Sequence, residues 1–428
     1  MVLPLFYRKN VLLEGIEMSD TINCVHIDTS EDVQELQMIN KKRAKEKQKN
    51  DLWKGFVFGA AVTLGICLLC RWFFMDHSNK QQVIRECVDK YYLNEVNEED
   101  MKEGIYKGMI ASLGDPYSEY YTKEEYMERM QDYGGSYKGI GVVIQKNPEN
   151  GLVTIVSCYE NSPAEEAGIM AGDLIYKVGD VNTTDIQLEE VVTRIKESGE
   201  DGIHLTLIRE GEPDYIEVDV VPNDVVYPVV SRQMLSDGVG YLAIGEFKES
   251  SYQQFHEAME DLQSQDMKGL IVDLRNNTGG LMNAVNSILN DILPEGTIVY
   301  TVDKNGKRQD YTSEGKTPLQ IPMVVLINEY TASASEIFAG AVRDYDMAQL
   351  VGTKTFGKGV VQSTVNLSDG SALKLTIANY YTPKGTNIHG TGLEPDVMVE
   401  LDMTLQEDGT YHDNQLEKGV EVLKAMIQ

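Results

Sequence analysis

The spacing of apolar and polar residues changes several times along the chain. Residues 55–75 are almost continuously apolar, interrupted only by Thr63 and Arg71. About 20 apolar residues is the length of one helical membrane span. Lysine and arginine gather just before this stretch, in KKRAKEKQKN, and positive charge favours the cytoplasmic side of a membrane. The pattern predicts a cytoplasmic segment over 1–54, a membrane anchor over 55–75 and an extracytoplasmic remainder.

A cleaved signal peptide is the alternative interpretation of the apolar stretch. Such peptides end in a small-x-small cleavage site, and no such site follows Met75. An uncleaved anchor is therefore favoured. The N-terminus raises a second question, because LEGIEM before position 19 resembles a translated ribosome-binding stretch. We hypothesise that Met18 rather than Met1 is the start.

The remaining chain shows three further patterns. Residues 76–132 carry apolar side chains at helical spacing and predict a small helical region with two helices. Residues 133–222 contain short alternating segments such as GVVIQK and IHLTLIRE, separated by glycine-rich turns, and predict a mostly β domain. Residues 223–428 alternate strand and helix. The whole indicates a multidomain protein of mixed α+β and α/β type.

Two segments of the last region are compact apolar runs, GLIVDL (269–274) and MVVLIN (323–328). Such runs are typical of strands buried on both faces of a partly parallel sheet. Each is followed by a loop and then a helical pattern, RNNTGG before LMNAVNSIL and EYTASA before SEIFAGAVRDY. Ligands of open α/β sheets bind at the carboxyl ends of the strands. The two loops therefore form a candidate site.

The formal charge of −30 is due to the excess of acidic residues in the part of the chain that follows the apolar stretch. Because phosphate would be repelled, the charge argues against a nucleic-acid partner. The cysteines form neither a disulfide framework nor a zinc-ligand spacing: Cys24, Cys67, Cys70, Cys87 and Cys158. The sequence implies no metal and no organic cofactor.

The loop TASASEI (331–337) brings two serines to the start of a predicted helix. The amides and the dipole of a helix N-terminus favour a developing negative charge, so Ser333 or Ser335 is a candidate nucleophile. The alternative is structural, because Ser333 and Glu336 have the spacing of a capping box. On these seven residues alone the capping interpretation is favoured.

Lys358 lies between two glycines in TFGKGVVQ (355–362). A lysine can act as a general base only when neutral, and roughly one free lysine in a thousand is neutral near pH 7.5. Burial must lower its pKa by about three, at a desolvation cost near 4 kcal/mol. In an extended segment Gln362 shares a face with Lys358 and could orient the amine. The alternative is a solvated loop lysine.

The loop RNNTGG (275–280) supplies the third candidate feature. Glycines at Gly279 and Gly280 let the backbone approach a substrate and direct N–H groups at an oxyanion. Taken alone, two glycines after a strand more often form a turn.

Together these motifs resemble one family, the C-terminal processing (tail-specific) peptidases. The resemblance rests on TASASEIFAGAVRDY, VGTKTFGKGVVQ and DLRNNTGGLM, and also on LGDPYSEYYT and TPKGTNIHGTGLEPDV, and it covers residues 80–400. It implies a nucleophile at Ser333, a general base at Lys358 and a positioning role for Gln362. It also implies an oxyanion hole from the amides of Ala334 and of Gly279 or Gly280, on a ClpP/crotonase-like α/β protease core. Thr278 departs from the family pattern.

The β domain resembles a PDZ domain. YKGIGVV (137–143) matches the loop whose amides bind a peptide carboxylate, and SPAEEAGIMAGDLI matches the helix and turn that follow. The resemblance implies peptide binding at Gly139, Ile140, Gly141 and Val142, with the peptide added as a strand. A plain glycine-rich β-hairpin is the alternative.

These features predict a membrane-anchored serine endopeptidase whose partners are proteins with unstructured apolar C-termini. A homodimer formed through residues 80–132 and a regulatory partner are two further possibilities for this protein. A Ser/His/Asp triad is disfavoured, because the histidines lie in unrelated parts of the pattern: His26, His77, His204, His256, His389 and His412. The alternative function is a catalytically silent PDZ protein that binds peptides.

Overall fold

The computed structural model describes residues 30–402, residue 404 and residues 412–427. Contacts divide the chain into two compact units, residues 1–97 and 98–428. In the first unit, helix α1 spans Ser30–Tyr91. Within it, Met38–Cys70 is long and apolar enough to cross a membrane, and none of its apolar window is buried in protein. Met18 and Cys24 lie outside the described residues.

The predicted anchor and the first predicted helix of region 76–132 form one continuous helix, α1. Residues 76–82, DHSNKQQ, contain neither glycine nor proline, and nothing there ends a helix. The second predicted helix is present as α2 (Glu98–Ala111).

The sequence analysis missed two elements between α2 and the β domain. Strand β1 spans Glu119–Tyr121, and helix α3 spans Lys123–Gly134. A capping box begins α3, in which the Thr122 hydroxyl accepts the Glu125 N–H and the Glu125 carboxylate accepts the Thr122 N–H. The helix ends at Gly135, whose φ of 69° is the left-handed conformation that terminates helices.

The β domain follows as β2 (Ser136–Gly139), β3 (Val142–Lys146), β4 (Val153–Cys158), α4 (Pro163–Glu166), β5 (Leu174–Val178), β6 (Val181–Asn182), α5 (Leu188–Lys196), β7 (Ile203–Ile208), β8 (Ile216–Val220) and β9 (Asn223–Val226). Its main sheet has the order β3-β4-β5-β7-β8. The buried side chains of this sheet pack against Val191 and Ile195 of α5. Strand β3 is at the edge of the sheet.

The last region contains β10 (Val230–Met234), β11 (Val239–Ile244), α6 (Ser251–Ser264), β12 (Gly269–Asp273), α7 (Met282–Ile292), β13 (Gly296–Asp303), β14 (Arg308–Ser313), β15 (Met323–Ile327), α8 (Ala334–Asp344), β16 (Ala348–Gly352), β17 (Val360–Asn366), β18 (Ala372–Tyr381), β19 (Val397–Met398) and α9 (Asn414–Ile427). A six-stranded sheet has the order β10-β11-β12-β15-β16-β19. All its pairings are parallel except that of β10 with β11.

The predicted α/β core is confirmed. Every residue of β12 and of β15 is buried, as the two apolar runs predicted. Apolar side chains of α6, α7 and α8 fill a core on one side of the sheet, and Leu423 of α9 packs on the other.

A second, antiparallel sheet has the order β1-β18-β13-β14, with β17 also paired to β18. Strand β1 therefore joins a sheet of the last region, and Glu119 pairs with Lys374 of β18. This pairing brings the loop between α2 and β1 to the candidate site. The predicted domain boundaries at 132/133 and 222/223 lie within the second unit and stay predictions.

Candidate active site

The two serines of TASASEI have different environments. Ser333 comes directly before α8, is half-buried and has a φ of 56°. Few residues other than glycine adopt such a φ, and strained residues of this kind cluster at functional sites. Ser335 is fully buried, and its hydroxyl donates to the carbonyl of Asn277 over 2.9 Å. Ser335 thus holds the 275–280 loop against α8, and Ser333 is the serine with access to solvent.

A buried carboxylate joins Ser333 to Lys358. Oε2 of Glu336 accepts the backbone N–H of Ser333 and of Lys358, each over 2.9 Å. Oε1 accepts the Gly357 N–H over 2.8 Å and the Thr355 hydroxyl over 2.5 Å. Burial raises the pKa of Glu336, and these four donors oppose that effect. The Glu336 half of the predicted capping box is formed. The same carboxylate also holds the loop that carries Lys358, residues 353–359, which we call the lysine loop.

A buried tyrosine makes a second link between the same two residues. The hydroxyl of Tyr380, on β18, lies 3.0 Å from the carbonyl oxygen of Ser333 and 2.6 Å from that of Lys358. Nothing in the sequence around Tyr380 pointed to this role, because the contacts span 47 and 22 residues. Glu336, by contrast, was visible in the sequence as the last residue of a capping box.

Lys358 is half-buried at the end of the lysine loop. Burial lowers the pKa of its amine and the charge of Lys374 lowers it further, while Asp115 and Glu336 act in the opposite direction. This direction is the one that a general base requires. In the part of the chain that the structure describes, no hydrogen bond joins the Lys358 amine to the Ser333 hydroxyl.

Among the described residues, no hydrogen bond joins Gln362 to the Lys358 amine. Its side-chain amide donates to the hydroxyl of Thr376 over 3.2 Å. The pairing of β17 with β18 is irregular between Val361 and Gln362. The expected contact with Lys358 assumed a regular alternation of faces, and this irregularity interrupts that alternation.

The loop of residues 275–280, which contains Gly279 and Gly280, lies against Ser333. A Cβ on Gly279 would be 2.8 Å from Ser333 Cβ and 3.0 Å from the Ala334 nitrogen, so only glycine fits. The Gly279 N–H donates to Asn277 Oδ1 over 2.9 Å. The Gly280 N–H has no hydrogen-bond partner among the described residues. Ala334 is the first residue of α8, and its N–H has no acceptor within the helix.

The PDZ-like loop is shaped by one glycine. Gly141 has a φ of 78°, and a Cβ there would lie 2.3 Å from Ser162 Cβ. The Ile140 side chain is buried in the core of the β domain, so only its backbone could bind a peptide. Gly139 ends β2, and Val142 begins the edge strand β3, whose outer side has no partner strand in the described part of the chain.

Comparison with known proteins gives three matching domains. Residues 238–399 match peptidase family S41, residues 154–209 match a PDZ domain, and residues 24–125 match the N-terminal domain of the activating protease CtpB. The carboxyl-terminal-processing protease of Synechocystis sp. is 37% identical over 296 residues, which are 68% of this chain and 69% of that protein.

The chain belongs to peptidase family S41. The S41 peptidase is also 33% identical to the carboxy-terminal processing protease CtpA of Bacillus subtilis, over 80% of this chain and 74% of the relative. Among solved structures, the photosystem II D1 C-terminal processing protease is similar with a TM-score of 0.45 and 26% identity, over 83% and 92% of the two chains. The sequence matches confirm the expected family and its PDZ domain.

Proposed function

We propose that this S41 peptidase is a serine endopeptidase with a Ser333/Lys358 dyad. The observation that carries the proposal is the Glu336 carboxylate, which binds the backbone N–H of both residues at once. The contact fixes the two backbones relative to each other across 25 residues of sequence. The lowered pKa of Lys358 supports its role as the base.

In the proposed reaction the neutral amine of Lys358 takes the Ser333 proton while Oγ attacks the carbonyl carbon of the substrate. A tetrahedral intermediate forms. When it collapses, the carbon–nitrogen bond breaks and the Lys358 ammonium gives its proton to the leaving amine. A water molecule, deprotonated by the same amine, then hydrolyses the ester on Ser333 and restores the enzyme.

The oxyanion of that intermediate binds the amides of Ala334 and Gly280. The Gly280 N–H is available, whereas that of Gly279 is directed to Asn277. Gly279 serves by its missing side chain, which leaves room beside Ser333. Amides that point at an oxyanion before it forms need no rearrangement during the reaction.

Gln362 positions Lys358 through an intermediary in this proposal. Its amide binds Thr376, and Thr376 in turn binds Asp115, whose charge acts on Lys358. A neutral amide at this position orders the neighbours of the amine without adding a second carboxylate, which would raise the pKa of Lys358.

The PDZ domain implies protein or peptide substrates, and we propose that it binds their apolar C-terminal tails. The outer side of β3 can accept the tail as an added strand. The terminal carboxylate then meets the backbone of Gly139, Ile140, Gly141 and Val142. The proposed domains are the helical region 76–132, the PDZ domain 133–222 and the protease core 223–428.

The apolar part of α1 is the proposed membrane anchor, with the cytoplasm on its N-terminal side and the catalytic part outside. An impermeant maleimide added to intact cells tests this arrangement with single-cysteine variants. Cys87, an exposed residue after the span, should be labelled at once, and Cys24 only after the cells are opened. Labelling of Cys24 in intact cells would contradict it. We also propose that the protein forms a homodimer through residues 80–132 or binds a regulatory partner. The molar mass of the detergent-solubilised protein tests both proposals.

Cleavage is tested with the full chain in detergent micelles and an unfolded protein that ends in an apolar tail. Ser333→Ala and Lys358→Ala should abolish the products seen by mass spectrometry. Ser335→Ala is the matched control and should keep most of the activity, because Ser335 only packs. Activity that survives in Ser333→Ala would refute the dyad. Tail binding without cleavage by the wild type would favour a silent PDZ protein.

A further inference from the structure

The loop between α2 and β1 lies against the side chain of Lys358. The Lys358 Nζ is 4.8 Å from the ring centroid of Tyr117, over the face of the ring. An ammonium at this distance is attracted by the negative face of an aromatic ring. A neutral amine lacks the charge on which this attraction depends. Tyr117 therefore binds one protonation state of Lys358 in preference to the other.

Asp115 acts on the same side chain. Its carboxylate accepts the Tyr117 N–H over 3.1 Å and the Ser118 hydroxyl over 2.6 Å. Burial alone would raise the pKa of Asp115, but these bonds, one from Thr376 and the charge of Lys358 hold it below its ordinary value. An ionised carboxylate near Lys358 favours the ammonium form.

The loop is held in place by strand pairing. Strand β1 pairs with β18, and the Thr376 N–H of β18 donates to the Ser118 hydroxyl over 3.0 Å. The Tyr117 and His389 rings also have an edge-to-face arrangement, with ring centroids 6.5 Å apart. Asp115 and Tyr117 therefore have fixed positions relative to the lysine loop.

Two other charged groups face Lys358. Lys374 of β18 lowers the pKa of its amine and Glu336 of α8 raises it. The Lys374 amine donates to the Tyr121 hydroxyl over 3.1 Å and lies 3.6 Å from Glu119. The loop from α2 thus supplies the ring and the carboxylate that oppose the effect of burial on Lys358.

We propose that Asp115 and Tyr117 are positioning residues that hold Lys358 as an ammonium in a resting position, and that the neutral amine leaves this position to take the Ser333 proton. The resting position agrees with the lack of a hydrogen bond between the Lys358 amine and the Ser333 hydroxyl in the described structure. The inference rests on the proposed role of the dyad.

The sign of the effect follows from the charges. Asp115 and Tyr117 both stabilise the ammonium, so removing either lowers the pKa of Lys358 and raises the neutral fraction at a given pH. The isosteric change Asp115→Asn removes only the charge. Tyr117→Leu removes the ring, and Tyr117→Phe is the matched control that keeps the ring face.

The test measures Lys358 itself, in the full chain carrying Ser333→Ala. Trace acetylation with acetic anhydride modifies only neutral amines, and mass spectrometry gives the Lys358 rate at each pH. Asp115→Asn and Tyr117→Leu should move the midpoint to lower pH and speed acetylation at pH 7.5 about threefold or more. Tyr117→Phe should leave the midpoint unchanged.

A merely structural role gives a different result. Altered access to Lys358 changes the rate at every pH and leaves the midpoint in place, and that outcome would overturn the proposal, as would a midpoint that moves to higher pH. With Ser333 present, the acidic limb of the kcat/KM profile should shift in the same direction for Asp115→Asn and Tyr117→Leu. Because acetylation needs no catalysis, its midpoint decides the positioning role even if the Ser333→Ala and Lys358→Ala variants refute the dyad.

Discussion

The backbone N–H of Lys358 donates to the buried carboxylate of Glu336 over 2.9 Å. The same carboxylate begins α8 by accepting the Ser333 N–H. One side chain thus serves both as part of a helix cap and as the connection between two loops of the candidate site.

Glu336→Gln should therefore weaken both loops. All four partners of Glu336 are donors, and a glutamine presents an amide NH₂ to at least one of them. We expect unfolding to become easier by about 1–3 kcal/mol and kcat/KM to fall by roughly tenfold or more, since small displacements in a site reduce rates strongly. Peptide cleavage and thermal melting measure the two effects.

The matched control for this change is Glu329→Gln. Glu329 lies in the loop before α8, is exposed and accepts a hydrogen bond from the Thr353 hydroxyl. It should leave both quantities nearly unchanged. Wild-type activity in Glu336→Gln would show that the carboxylate is dispensable for the site.

Tyr380→Phe should remove the hydroxyl that contacts the carbonyl oxygens of both Ser333 and Lys358. The ring stays buried, so the change removes only the hydroxyl. A lost bond to buried carbonyl groups costs about 1–3 kcal/mol, and kcat should fall more than KM rises because the two loops carry the proposed dyad. The neighbouring Tyr381→Phe, on a ring that stacks on Tyr300, is the control. Equal kinetics in the two variants would contradict the proposed link.

Gly279→Ala should inactivate the peptidase while leaving the protein folded. The added Cβ meets Ser333 Cβ and the Ala334 nitrogen, and a φ of 107° is strained for alanine. The Cβ would displace the Ala334 amide, one of the two proposed oxyanion donors, and loss of one such donor typically lowers kcat by about 100- to 1000-fold. Gly306→Ala, also at positive φ but with open space around it, controls for backbone strain. Circular dichroism verifies folding, and comparable activity in the two variants would refute the packing argument.

The PDZ domain should lose stability in acid through Asp173. This buried carboxylate accepts the Arg209 Nε and Nη2 hydrogens and the Met170 N–H. Burial would raise the pKa of Asp173, but the bonds from Arg209 and Met170 hold it below its ordinary value. A carboxylate whose pKa is lower when folded contributes stability above its unfolded pKa of about 3.9, and this contribution is lost as pH falls through the folded pKa.

Asp173→Asn should remove about 3 kcal/mol from the PDZ domain at pH 7 and reduce the dependence of its melting on pH below about 4. Calorimetry of the full chain at pH 7 and at pH 3.5 measures the difference. Asp214→Asn, at an exposed position of the same domain, should match the wild type at both pH values. A variant Asp173→Asn with wild-type melting at pH 7 would contradict the role of the Arg209 pair.

The sequence by itself determined the elements whose signals are local. The two apolar runs predicted the central buried strands β12 and β15, because a strand covered on both faces has no polar positions. The glycines at 279, 280 and 141 marked places where a side chain has no room. The spacing of Ser333 and Glu336 predicted the start of α8. Each signal is contained in fewer than about ten residues, where periodicity and sterics act directly.

One local pattern was overlooked. Helix α3 was missed although Thr122 and Glu125 have capping-box spacing and Tyr126, Met130 and Tyr133 recur at helical spacing, because charged and polar residues dominate the segment.

Only the tertiary structure decided which distant groups share the site. Tyr380 reaches Ser333 and Lys358 because β18 passes beneath both loops, and Asp115 and Tyr117 reach Lys358 because β1 pairs with β18. It also turned Gln362 toward Thr376 and directed the Gly279 amide away from the proposed oxyanion hole. Such contacts join segments up to 258 residues apart, and no periodicity within one segment can encode the choice of its partner.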